Sequence, residues 1–187
     1  MRPSSRSQSP VLFFHLAAIA LAIGPALFFG AIVAPAAFRV LPTRDLAASL
    51  ASPVLSGACL IAEVAFAVLF ATAWWLTRDG APRLTRSLLT RLPVAGFFAA
   101  LVIRELLIPP MDRIRREAPG LIDNLPAADP SRILLDRYHR LATGFFTAVL
   151  AIAAAILLLT ARLLSAGRAA LPPAASRPPV PKLLDLS

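Results

Sequence analysis

Four long apolar stretches, separated by short polar joints, organise this chain: 11–38, 54–76, 88–108 and 141–161. A bilayer core ~30 Å thick is crossed by about 20 mainly apolar helical residues, so each stretch predicts a transmembrane helix. The third is the most interrupted, by Arg91 and Arg104 near its ends, whose guanidinium groups can snorkel toward an interface. The first holds 28 residues without a charge. A secretory h-region is only ~7–15 residues, so a retained helix is predicted there despite the cleavage-like "APA" at 34–36.

Local signals mark the joints. Pro35 and Pro42 predict the close of the first helix, and Gly24–Pro25 a kink or loosened turn within it. Thr43 is placed to cap the helix that follows, and 44–52 reads as an amphipathic turn or two leading through Pro53 into the second span. "DPSR" at 129–132 offers an Asp cap with Pro at the first helical position. The fourth helix is therefore predicted to begin well outside the membrane and run straight in. From 165 onward five prolines fall in 23 residues, which predicts a disordered tail. The expected organisation is a basic N-terminal tail (1–10), a four-helix transmembrane domain (11–164) and that tail (165–187). The fold class is an all-α integral membrane four-helix bundle with an extended fourth helix.

Composition agrees. The chain is 58% hydrophobic and 16% charged, with a mean hydropathy of +0.73, against ~45–50% and ~25% in a soluble domain. Its formal net charge of +9 raises the question of nucleic acid. The arginines sit at the ends of the apolar runs, where they match lipid headgroups, so the expected partners are the bilayer and anionic phospholipids, and not nucleic acid. Association with a second copy or another membrane protein stays open. An even number of spans puts both termini on one side. That side carries ten Lys/Arg, the other nine, and the short basic joint at 78–91 tips the positive-inside rule toward N-in and C-in. Eighteen arginines to one lysine, beside abundant Ala and Pro, hint at a GC-rich bacterium and hence its inner membrane. Cys59, alone in an apolar run, reads as a small hydrophobe.

Charges in apolar runs are the candidate chemistry. Glu63 lies nine residues below the outer end of the second span, about 13 Å deep, where a bare carboxylate costs ~2.5–3.5 kcal/mol or more. Arg104, about 6 Å below the outer end of the third span, is the partner within reach. On the fourth helix Arg132, Asp136, His139, Arg140, Thr143 and Thr147 recur at spacings of three and four, one polar face expected to turn into the bundle. The candidate cluster is Glu63, Arg104, Glu105, His139, Thr143, Arg39 and Arg140. Arg104 would counter Glu63, Arg39 and Arg140 could hold an anionic headgroup, and His139 would titrate. The bland reading is an ion-pair network that orients helices and nothing more. Small residues for helix contacts stand at Ala22, Ala26, Gly30 and Ala34, and at Gly144, Ala148, Ala151 and Ala155. His15 and His139 belong to opposite membrane surfaces, so they cannot share a metal, and neither cofactor nor metal is expected.

"GAIVAPAAFRVLPTRDLAASL", "IPPMDRIRREAPG" and "RYHRLATGFFTAVLAIAAAILLL" resemble the transmembrane protein 205-like domain family over about 10–165. The resemblance rests mostly on Pro35, Phe38, Arg39, Pro109, Pro110 and His139, with Thr143 where such families usually have serine. It implies four membrane helices and no established reaction. The leading expectation is a non-enzymatic membrane protein binding or passing a small solute, proton or lipid headgroup at the outer polar cluster. The alternatives are a haem- or metal-linked oxidoreductase of the copper-resistance type and a structural assembly partner.

Overall fold

The structure, a computed structural model, describes residues 8–78 and 82–169. Arg2, Arg6, Asp79 and the 170–187 part of the predicted tail lie outside the described residues. The first span runs through α1 (Gln8–Phe28), a π turn (Phe29–Val33) and α2 (Ala34–Val40); the second is α3 (Arg44–Thr77). The third joins α4 (Arg83–Leu101), a second π turn (Val102–Leu107) and α5 (Ile108–Glu117). A 3₁₀ turn (Ile122–Asn124) then leads to α6 (Pro130–Ala169), the fourth span. The α1 helix packs on α3 and α6, and α4 packs on the same two. The spans thus form a square with α1 opposite α4.

All four spans are long and apolar enough to cross a bilayer, at 31 to 37 residues each. At 1.5 Å per residue that is about 45–55 Å, longer than the hydrocarbon core, so the helix ends project. Large apolar side chains also point outward: Phe13, Phe14, Phe28, Val64, Trp74, Leu106 and Leu158 are all more than half exposed. An apolar belt of this kind is compatible with a lipid surround.

Several joints differ from the sequence reading, for a backbone reason. Pro35 does not end the first helix. The N–H of Ala34 instead bonds five residues back to Phe29 O, and Pro35 falls in the first turn of the resumed helix, where no N–H is needed. The third span repeats the device, with Ile108 N–H bonded to Ile103 O just before Pro109 and Pro110. Each widened turn carries the chain past a residue that cannot donate. The helix does end at Val40, where Leu41 turns extended before Pro42. Residues 44–52 do lead through Pro53 into the second span, as the first turns of an unbroken α3. Thr43 caps it as expected, its hydroxyl accepting from Leu46 N–H at 3.2 Å. Asp129 caps α6 through Ser131 N–H at 2.8 Å, and α6 reaches Ala169, five residues into the predicted tail.

The small-residue ridges are half realised. Ala22 and Ala26 are buried, joined by Ala18. On α6 the buried positions are Ala142, Val149, Ala153, Ile156 and Thr160, not Gly144, Ala148, Ala151 and Ala155. An alanine-rich helix offers small residues on every face, so spacing alone does not pick one.

Near the terminal end, His15 bridges three spans. Its Nδ1 lies 2.7 Å from Thr72 Oγ1 and its Nε2 3.1 Å from Thr160 Oγ1. Both hydroxyls also reach carbonyls of their own helices, Val68 O at 2.7 Å and Ile156 O at 2.8 Å. A neutral imidazole has one donor, so one threonine must turn its hydroxyl toward the ring. This fixes an asymmetry. His15→Leu leaves both hydroxyls their carbonyls and should cost about 0.6–1.7 kcal/mol, the range for membrane hydrogen bonds. Thr72→Val with Thr160→Val strands a buried imidazole and should cost more, about 1–3 kcal/mol. Unfolding by SDS titration compares the two; a larger loss in His15→Leu contradicts the assignment.

Candidate functional site

The far end of the bundle, away from the termini, is tied by its loops. Asp123 Oδ2 accepts from Arg44 N–H at 3.0 Å, and Asp45 Oδ2 accepts from Ile122 N–H at 2.7 Å. The 118–129 connection therefore sits on the N-terminus of α3, where carboxylates suit the helix dipole. One layer deeper, Ser52 Oγ donates to Asp112 Oδ1 at 3.0 Å, and Arg115 Nη1 donates to the same oxygen at 3.0 Å.

Below that layer the four spans part around a cavity of about 320 Å³. Phe29, Gly30, Ala34 and Phe38 line it from the first span, and Ala48, Ala51, Ser52 and Leu55 from α3. Ile108, Met111 and Arg115 come from the third span, and His139, Ala142, Thr143 and Phe146 from α6. The lining is mainly apolar. Phe29 and Phe146 close its floor edge to face, centroids 5.9 Å apart. Gly30 permits that floor, because a Cβ there would stand 3.3 Å from Phe146 Cε1.

A second cavity of about 490 Å³ lies against the first and shares Phe38, Ala48, Arg115 and His139 with it. Its lining is polar: Arg44, Arg115 and Arg132 against Asp45, Asp123 and Asp136. Arg115 lies where the two meet, its side chain 17% exposed. The wall is incomplete on one side. The π turn and α2 pack on α3 and scarcely touch α6, and Gly30 and Thr143, facing each other across the pocket, are both exposed. A seam there opens to the outside of the bundle.

Glu63 is 5% exposed and paired as expected. Arg104 donates through Nε to Oε1 at 2.8 Å and through Nη2 to Oε2 at 2.9 Å, a two-pronged bond. Its Nη1 holds Glu105 Oε1 at 2.9 Å, and Glu105 is half exposed. Rather than snorkelling outward, Arg104 turns inward, from within the second π turn.

The predicted single cluster is two sites. No hydrogen bond or ion pair joins Glu63, Arg104 and Glu105 to His139 and Thr143. Phe146 stands between, lining both the pocket and a void of about 10 Å³ beside Cys59 and Ala62. Nor does the whole polar stripe of α6 turn inward. His139 and Thr143 line the pocket and Arg132 and Asp136 the vestibule, while Thr147 is exposed, its hydroxyl bonded to Thr143 O at 2.9 Å. The stripe lines the cavities at its upper end and is satisfied by its own helix lower down. Arg39 and Arg140 are exposed and line neither cavity. The arginines that do are Arg44, Arg115 and Arg132. Arg115 was legible: Ile108, Met111 and Arg115 recur at helical spacing on one face, and the first two are buried. The layer Ser52–Asp112 and the bridge His15–Thr72–Thr160 depend on register between spans, which leaves no local trace.

Among the described residues, no three His, Cys, Asp or Glu side chains gather as a metal-holding group. Compared with known families, characterised proteins and solved structures, the chain matches none.

Proposed function

We propose that this chain is a non-enzymatic, multi-pass protein of a bacterial inner membrane, with both termini inside, that binds an amphiphile at the outer end of its bundle. One observation carries the reading: an apolar pocket abuts a charged vestibule along Phe38, Ala48, Arg115 and His139, which line both. A site built this way suits a molecule with an apolar chain and a polar head. The outward-opening seam supports entry from the outer leaflet rather than from water. His139 to Phe146 spans seven residues, so the pocket is about 10 Å deep. Its volume of about 320 Å³ lies at the small end of ligand pockets. That favours one chain over two.

The proposal includes membership of the transmembrane protein 205-like family. Its support is that Phe38 and His139 wall both cavities and that Pro35, Pro109 and Pro110 follow the two π turns.

Extraction into polymer-bounded bilayer discs, followed by mass spectrometry of the intact particle, tests the reading. A single-chain amphiphile should travel with the wild-type protein at about one per chain and fall at least tenfold in Ala51→Phe, which fills the pocket. Circular dichroism and monodispersity control for folding. Equal retention by a folded Ala51→Phe protein overturns the reading. A Soret band or stoichiometric metal in the same preparation would favour the electron-transfer alternative.

A further inference from the structure

The charges of the vestibule are balanced, and they are not equally occupied. Asp45 and Asp123 each give Oδ2 to a backbone N–H across the loop–helix junction, and Asp123 Oδ1 pairs with Arg44 at 4.0 Å. Arg132 Nη1 is fixed to Leu125 O at 2.8 Å, and Arg115 Nη1 to Asp112 at 3.0 Å. A guanidinium carries five N–H donors in a rigid fork. Each of these two arginines is therefore anchored by one nitrogen and keeps donors open to the cavity. Asp136 lines the same cavity, is exposed, and makes no side-chain hydrogen bond or ion pair among the described residues.

Two anchored cations with spare donors fit an anionic oxygen group, such as a phosphate, which guanidinium forks bind in paired fashion. An uncommitted carboxylate on the same wall fits an ammonium group. A purely anionic head would meet Asp136 as a like charge, and a purely cationic head would meet Arg115 and Arg132.

We infer that the site selects a zwitterionic, single-chain amphiphile of the phosphoethanolamine type, phosphate toward Arg115 and Arg132 and ammonium toward Asp136. This rests on the amphiphile-binding reading above and adds the charge class of the head. The distinction has consequences at the membrane surface, where basic proteins ordinarily favour anionic lipids. Here one carboxylate reverses that preference inside the cavity.

The test is a competition, read by native mass spectrometry, between lysophosphatidylethanolamine and lysophosphatidylglycerol of equal chain length, offered at equal concentration to the full chain. Wild-type protein should prefer the ethanolamine lipid by about tenfold, the scale of one charge-assisted hydrogen bond. Asp136→Asn should bring the ratio near one, and Asp136→Arg should invert it. Asp136 is exposed, so neither change threatens the fold. Arg132→Gln should weaken both lipids without changing their ratio. A wild-type preference for the glycerol lipid, equal binding of the two, or a ratio unmoved by Asp136→Asn overturns the zwitterion assignment and leaves the amphiphile reading standing. Failure of both lipids to bind overturns both.

Discussion

Arg104→Met is expected to destabilise the bundle strongly, because it leaves the buried Glu63 carboxylate without its partner. The size follows from where the carboxylate is left. Glu63 is 5% exposed, and both its oxygens are held by Arg104 at 2.8 and 2.9 Å. Glu105 offers no relief, since it carries the same charge. Glu63→Leu strands Arg104 in turn, though less severely, because Glu105 still holds Nη1 at 2.9 Å and the side chain is 26% exposed. The double variant Glu63→Leu with Arg104→Met removes both charges and should recover most of the loss, as apolar replacements of ion pairs do. Melting temperature in detergent and SDS unfolding give the four corners of the cycle. Additive losses, with no coupling beyond ~0.5 kcal/mol, would show the pair to be independent groups.

The second large effect is expected at Gly96, where two terms oppose. Alanine is the better helix former by ~1 kcal/mol, so Gly96→Ala in α4 would stabilise an open position. This one is closed. A Cβ at Gly96 would stand 2.5 Å from Phe66 Cζ and 2.6 and 2.7 Å from its Cε atoms. Phe66 is fully buried among Leu69, Ile103 and Val149, so the ring cannot simply swing clear. Overpacking of this kind costs about 1–3 kcal/mol and should win, giving a net loss. Trimming the ring supplies the control: Phe66→Leu combined with Gly96→Ala should be more stable than the sum of the two single effects. A neutral or stabilising Gly96→Ala would mean that α3 and α4 pack more loosely than this contact requires.

What can be read from residues alone here is whatever a short window encodes. Four runs of apolar residues suffice for four spans, because a bilayer imposes length and satisfaction of the backbone on each helix by itself. Thr43 and Asp129 cap their helices because the cap, too, is a local bond. Glu63 could be assigned Arg104 because cost and depth left few partners. The proline readings were weaker, since a proline forbids one donor but does not say whether the helix stops or widens. At Pro35 and Pro109 it widens.

The remainder belongs to the tertiary structure. Which face of alanine-rich α6 is buried, which arginines line the cavity, and whether one polar cluster or two exist all depend on how four helices are rotated and shifted against one another. The same small, apolar residues satisfy lipid and protein alike, so hydropathy does not distinguish inside from outside as it does in water. Rotation was decided instead by a few contacts between distant residues: Gly96 beneath Phe66, His15 between two threonines, Arg104 turned inward from a π turn. The pocket lies where the π turn and α2 of the first span stand apart from the fourth, and it exists in no single stretch of the chain.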